Sequence, residues 1–122
     1  MDFCIFCSQA HQKIYENKYV YAVYDTFPVS PGHVLIIPKA HRETYFEASF
    51  KEMVAINEAI QVLKDRLDSQ FKPDGYNIGI NNGKAAGQTV FHLHVHLIPR
   101  YEGDMDNPRG GVRGVIPHKQ KY

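Results

Sequence analysis

The chain predicts an α+β domain, a mostly antiparallel sheet of about five strands with one long helix packed on it. Three observations carry this expectation. Short β-rich or apolar runs recur at residues 13–16, 19–24, 33–38, 76–81 and 91–98. One stretch, residues 49–68, carries an apolar stripe at helical spacing. The order is strands, one long helix, then more strands, which suits a sheet covered on one face by a helix.

Residues 13–16 and 19–24 are separated by Asn17-Lys18, so they read as a hairpin. Phe27-Pro28-Val29-Ser30-Pro31-Gly32 must be a loop, because two prolines and a glycine exclude regular structure. Residues 33–38, HVLIIP, form a continuous apolar run and read as a buried strand. The helix begins at Ser49, a good N-cap, and Glu52 three positions on completes a capping box. Met53, Ile56, Ile60, Leu63 and Leu67 then fall on one face. Lys72-Pro73-Asp74-Gly75 closes that region, and residues 76–81 alternate as a strand. Residues 82–88 are a polar, glycine-containing loop. Past Arg100 the chain is rich in glycine and proline. Residues 1–103 are therefore expected as the domain and 104–122 as an extended Gly/Pro/Arg-containing tail with little core of its own.

Composition narrows the function classes. At 122 residues the chain suits a single domain. Fourteen Lys and Arg against thirteen Asp and Glu leave a formal charge of +1, so nothing electrostatic points to nucleic acid or an anionic membrane as partner. No apolar run approaches the roughly 20 residues of a membrane span. The opening MDFCIFCSQA lacks the basic and long apolar regions of a signal peptide, and the expectation is a cytoplasmic protein.

The chemistry concentrates in FHLHVHLI, residues 91–98. Strict alternation places Phe91, Leu93, Val95 and Leu97 on one face of a strand. His92, His94 and His96 fall on the other, about 6.5–7 Å apart in succession. Such a stripe reads as a solvent face, as a metal centre using H-x-H ligands, or as a nucleophile with its supports. A neutral imidazole is a competent nucleophile because its ordinary pKa is about 6.5. The upstream Asn81, Gly83, Gly87, Gln88 and Thr89 offer side-chain donors and approachable backbone N–H groups, which suit phosphate oxygens. Cys4 and Cys7 are spaced C-x-x-C, which in a reducing compartment suggests metal binding or redox chemistry rather than a structural disulfide.

Taken together, HLHVHLI, the loop Asn81…Gly87-Gln88-Thr89, Tyr24-Asp25-Thr26 and PGHVLIIPKAH at residues 31–41 resemble the histidine triad (HIT) family over about residues 3–101. The resemblance implies the HIT-like fold, a homodimer, and a nucleotide or dinucleotide substrate. It implies His94 as a nucleophile that forms a nucleotidyl-histidine intermediate, releasing a nucleoside monophosphate from phosphoramidates or dinucleoside polyphosphates. His96, Gly87, Gln88 and Thr89 then hold phosphate, with Asn81 in support. Asp25 takes the ribose hydroxyls, and Ile5, Phe6, Val23 and Thr26 form the base pocket. His33 becomes a buried histidine that orders the triad. Some members close a structural zinc site on the equivalents of Cys4, Cys7, His41 and His92, all present here. Two other functions compete: a regulatory module that only senses nucleotides, and a hydrolase with a catalytic metal on the H-x-H histidines. His11 and His118 lie in polar surroundings and read as plain surface residues. Arg109 and Arg113 sit in the tail, either as part of a flexible end or on an arm that reaches distal phosphates.

Overall fold

The structure is a computed structural model that describes residues 3–122. Five strands form one sheet in the order β1-β2-β3-β5-β4, every neighbouring pair antiparallel. They are β1 (Tyr15–Glu16), β2 (Val20–Tyr24), β3 (Val34–Pro38), β4 (Gly75–Gly79) and β5 (Val95–Arg100). A short helix α1 (Ile5–Ser8) precedes them, and the long helix α2 (Phe50–Phe71) lies between β3 and β4 in the chain. The expected α+β fold is present.

The hairpin forms because Asn17 braces its turn. Its Oδ1 accepts from the N–H groups of Tyr19 and Val20, at 3.0 and 2.9 Å. All five residues of β3 are buried. That follows from its place between β2 and β5, with apolar groups on both faces of the sheet. One face packs Val20, Ala22, Val34, Ile36, Val95 and Leu97 against Ala55, Ile56, Ala59, Leu63 and Leu67 of α2. The other packs Tyr21, Val23, Leu35 and Ile37 against Phe6.

Helix α2 starts as its capping box requires. Ser49 Oγ accepts from Glu52 N–H at 3.1 Å, and Ser49 N–H donates to Glu52 Oε1 at 2.7 Å. Arg42 Nε–H also donates to Glu52, at 2.9 Å. Burial pushes this carboxyl up, but the Ser49 N–H and the Arg42 guanidinium together outweigh it and hold the pKa below the usual range. The helix runs three residues past its expected end at 68. Phe71 still packs on the core, and Lys72, in the left-handed region at φ 51°, supplies the stop. Gly32 explains how close the preceding loop comes: at φ +86°, a Cβ there would sit 3.1–3.3 Å from Phe71, Pro99 and Leu67.

Two expectations are corrected. The last strand begins at Val95, not at residue 91. Its pairing with β3 ends at Ile36↔Val95. Pro38, near the end of that ladder, has no N–H, and its carbonyl accepts instead from the His92 ring at 2.8 Å. Released from the ladder, Phe91 is 45% exposed rather than in the core, while His92 is fully buried. The tail, residues 104–122, buries nothing, yet it is not extended. It winds into two 3-10 turns, Gly111–Val115 and Pro117–Lys119. Arg113 donates to the carbonyls of Lys119 and Gln120, and the guanidinium groups of Arg109 and Arg113 lie over the Tyr122 ring.

Candidate active site

The three histidines go to two places. From Leu93 onward the alternation holds: Leu93, Val95 and Leu97 are buried, and the rings of His94 and His96 lie together, 5.2 Å between centroids. These two rings line a cleft of about 460 Å³. Ile5 and Phe6 of α1, with Val23, Asp25 and Thr26 at the end of β2, line it as well. So do Asn81, Gly87 and Thr89 from the loop before β5. Ten of the expected nucleotide-site residues are thereby brought to one cavity.

Hydrogen bonds set the protons. His94 Nδ1–H donates to the main-chain carbonyl of His92 at 2.9 Å. Its Nε2 is therefore left as a lone pair. His33 lies behind the cleft, 3% exposed. Its Nδ1 accepts from Val29 N–H at 3.1 Å, so its proton sits on Nε2, 3.0 Å from His96 Nδ1. His96 must then accept at Nδ1 and carry its own proton on Nε2. Asp25 Oδ2 stands 3.5 Å from His33 Nε2, and Asp25 Oδ1 accepts from Phe27 N–H at 2.9 Å. Burial pushes His33 down, against the pull of Asp25. Burial, with His94 and His33 nearby, pushes His96 down to about 4. Both rings are neutral near pH 7. The cleft thus pairs an imidazole lone pair with an imidazole N–H donor, the arrangement wanted for attack on an anionic, donor-bound centre.

The loop before β5 is pinned rather than loose. Gln88, assigned from sequence to the nucleotide, does not line the cleft. It is buried, with its Oε1 accepting from Gly83 N–H and its Nε2 donating to the carbonyls of Glu43 and Val90. The N–H groups of Gly87 and Gln88 are consumed by the turn, bonded to the carbonyls of Lys84 and Gly83. Gly87, at φ +91°, makes that turn possible. Among the loop's side chains that line the cleft, the Asn81 amide and the Thr89 hydroxyl can serve a phosphate.

His92 belongs to a second cluster. Its Nε2–H donates to Pro38, which turns the Nδ1 lone pair toward Cys4 Sγ at 3.3 Å and Cys7 Sγ at 3.4 Å. His41 Nδ1 lies 3.2 Å from Cys7 Sγ. The four ligand atoms fall within 4.8 Å of one another. A tetrahedral zinc with ~2.3 Å Zn–S and ~2.0 Å Zn–N bonds needs S···N edges of roughly 3.5 Å, so two sulfurs and two ring nitrogens fit that ion. A catalytic metal shared between His92 and His94 does not fit, because the His92 lone pair faces the cysteines and His94 Nδ1 is spent on the His92 carbonyl.

Five lining residues were not expected from the sequence, Tyr24, Phe27, Leu35, Val90 and His11, and of these His11 is the imidazole. It lines the cleft, its ring 6.3 Å from that of Phe6, instead of lying on the surface. No periodicity or motif marks it in the polar stretch Ser8–Lys13; only the return of that stretch over β2 brings it in. His118 is exposed, as expected. Arg109 and Arg113 do not line the cleft.

The model of the HIT domain matches residues 8–103. A crystal structure of a HIT family protein from Bacillus anthracis superposes with a TM-score of 0.80 at 39% identity, over 84% of this chain and 77% of that one. A zinc-bound histidine triad family protein from Mycobacterium smegmatis superposes at 0.74 with 36% identity, over 83% and 77%. Among curated relatives, an adenylylsulfatase of Arabidopsis thaliana is 37% identical over 106 residues, 83% of this chain and 54% of its own length. A bis(5'-adenosyl)-triphosphatase of Saccharomyces cerevisiae is 39% identical over 94 residues, 75% and 45%. With the domain match covering most of its length, this chain belongs to the histidine triad family.

Proposed function

We propose that this protein hydrolyses nucleotides at the α-phosphate through a covalent nucleotidyl-His94 intermediate. The observation that carries the reading is the His94 hydrogen bond to the His92 carbonyl, which holds the Nε2 lone pair free in a cleft with the N–H donor of His96 beside it. His94 Nε2 forms a bond to the α-phosphorus as the bond to the leaving group breaks, and the leaving group departs with the electron pair, a polyphosphate as its anion and an amine with a proton taken up from solvent. The imidazolium that results keeps its Nδ1–H on the His92 carbonyl. Water then attacks phosphorus as the P–Nε2 bond breaks, the electron pair returns to His94 and a proton from the water passes to solvent, releasing a nucleoside monophosphate. Two easier displacements replace one hard one. Asp25 takes the ribose hydroxyls, Ile5, Phe6, Val23 and Thr26 the base, and Asn81 and Thr89 the phosphate with His96. The names of the two enzymatic relatives contain an adenylyl and an adenosyl group, which supports a nucleotide as substrate. Phosphoramidates and dinucleoside polyphosphates are the substrate classes we put forward.

Cys4, Cys7, His41 and His92 would hold zinc. Bound there, the ion would fix α1 to the segment before β5 and supply folding free energy rather than chemistry. We also propose a homodimer. Strand β4 ends the sheet with Ile78 49% exposed, an edge that a second copy can cover.

A panel of nucleoside phosphoramidates, dinucleoside tri- and tetraphosphates and nucleotidyl sulfates, read by product mass and by intact-protein mass after acid-free quenching, tests the proposal. Release of a nucleoside monophosphate, with one nucleotidyl group transiently on the protein, is expected. Binding without turnover of any member would leave the regulatory module instead.

A further inference from the structure

We propose that Cys4 and Cys7 are a redox-modification site. A small-molecule disulfide oxidises the pair to a Cys4–Cys7 bridge, which gives up the zinc that the two sulfurs would hold with His41 and His92 and loosens one wall of the cleft. The last consequence rests on the nucleotide reading of the cleft; the bridge and the loss of the ion do not. Three observations lead there. The two sulfurs lie within 4.8 Å of each other on one helical turn, because Cys4 is the N-cap of α1 and its Sγ accepts from Cys7 N–H at 3.3 Å. Residues three apart on a helix have Cα atoms roughly 5 Å apart, inside the range a disulfide spans, so side-chain rotation suffices to close it. Cys7 is exposed and open to attack an oxidant, while Cys4 is half-buried. The two residues between the cysteines are Ile5 and Phe6, and both line the cleft, the Phe6 ring standing 5.2 Å from that of His94.

A sulfur bound to zinc is already a thiolate. The Cys7 sulfur attacks one sulfur of the oxidant RSSR, the S–S bond breaks, and RS⁻ leaves with the electron pair. The Cys4 sulfur then attacks the Cys7 sulfur of the mixed disulfide, and the second RS⁻ leaves. The two cysteines lose two electrons and the oxidant gains them. His41 and His92 remain as two ligands, too few for a closed tetrahedral site, and the ion passes to solvent. A long-range tie is thereby replaced by a local one. Cys4 reaches His92 across 88 positions of sequence and Cys7 reaches His41 across 34. The bridge closes a loop of only four residues, which restrains the unfolded chain little. Helix α1 is itself four residues long, too short to stand alone. What then holds it among the described residues is the packing of Ile5 and Phe6 and the Tyr21 hydroxyl, which donates to the Phe6 carbonyl.

The test uses the zinc-loaded full chain and oxidised glutathione. Zinc release, read with a chromophoric chelator, should rise in step with a loss of about 2 Da from the intact reduced mass, and a peptide bridged between Cys4 and Cys7 should appear on digestion. The melting temperature should fall. AMP, titrated calorimetrically, should bind the oxidised chain about 10-fold more weakly, because α1 must first be ordered. Dithiothreitol with added zinc should reverse all of these. Cys7→His, which keeps a ring nitrogen for the ion and forbids the bridge, should hold its zinc about 10-fold longer in the same oxidant. Zinc retained by a chain whose cysteines are oxidised, a stable glutathione adduct in place of the bridge, or a melting temperature unchanged by oxidation would overturn the proposal. So would failure of the reduced chain to take up zinc. AMP binding equally well to both states would overturn the link from α1 to the cleft. Bridging and zinc release in a protein that binds no nucleotide in either state would leave the modification site standing and overturn the nucleotide reading.

Discussion

The Nδ1–H of His94 is bonded to the backbone carbonyl of His92, 2.9 Å away and only two residues earlier in the chain. That one contact selects the tautomer of the ring in the cleft, and it survives because the chain at 92–94 is held off the sheet. Leu93 N–H donates to the Arg42 carbonyl, and the His92 ring donates to Pro38. His94→Ala removes the lone pair but none of the groups assigned to ribose, base or phosphate apart from itself. Single-turnover hydrolysis should fall on the order of 10³-fold or more, with nucleotide affinity changed far less. Rapid-quench kinetics beside calorimetric titration measures the two effects separately. Near-normal turnover would end the nucleophile assignment.

Zinc should be present at about one ion per chain in protein purified without added metal, as measured by elemental analysis. Cys4→Ser should lower the melting temperature and the zinc content together. It should spare the chemical step measured well below the new melting point, because the cluster and His94 use different atoms. Loss of turnover on chelation with the fold and melting temperature unchanged would instead favour a catalytic metal.

Glu52 is 3% exposed and serves the Ser49 cap and Arg42 at once. Glu52→Ala removes half of the capping box and leaves Arg42 without its partner. A loss of about 2–4 kcal/mol is expected in urea unfolding. Glu52→Gln, which keeps the shape and an acceptor, should lose less. A change under about 0.5 kcal/mol for Glu52→Ala would show that the cap is supported elsewhere.

His96 gives stability a pH dependence whose sign follows from its lowered pKa. With a folded value of about 4 and an ordinary value of 6.5, the unfolded chain binds more protons between those pH values. The contribution of His96 is full above pH 6.5 and is lost as pH falls from 6.5 toward 4. His33 shifts in the same direction. The groups facing His96 are His94, His33 and Asp25. Allowing for solvent screening of a partly exposed ring, on the order of 1–2 kcal/mol is expected. His96→Gln should flatten the profile relative to wild type over that window, each protein measured with the same zinc content. Parallel profiles would show that His96 does not titrate as argued.

Much of the fold could be read locally. Ser49 and Glu52 announced the start of α2, and the stripe from Met53 to Leu67 announced its buried face, because both depend on residues within a turn or two of one another. Asn17 and the two runs around it specified the hairpin for the same reason. The alternation from Leu93 to Leu97 put His94 and His96 on one open face, as a period of two must. The helix end moved to Phe71 because that ring finds the core, a contact no local pattern counts.

What the chain alone determined, then, was the inventory: an α+β sheet with one capped helix, three histidines at alternate positions, and a cysteine pair. The tertiary structure decided where each of them works. His92 left the strand because Pro38, 54 residues away, offers a carbonyl and no N–H, and so the ring turned to Cys4 and Cys7. Gln88 turned inward because Glu43 and Gly83 were there to use its amide. His11 entered the cleft because the stretch that carries it folds back over β2 beside Phe6. Arg109 and Arg113 found Tyr122 rather than the cleft. In each case the deciding partner is a polar group or ring supplied by another part of the chain. Periodicity records which face a residue takes, and it carries no record of what waits opposite that face.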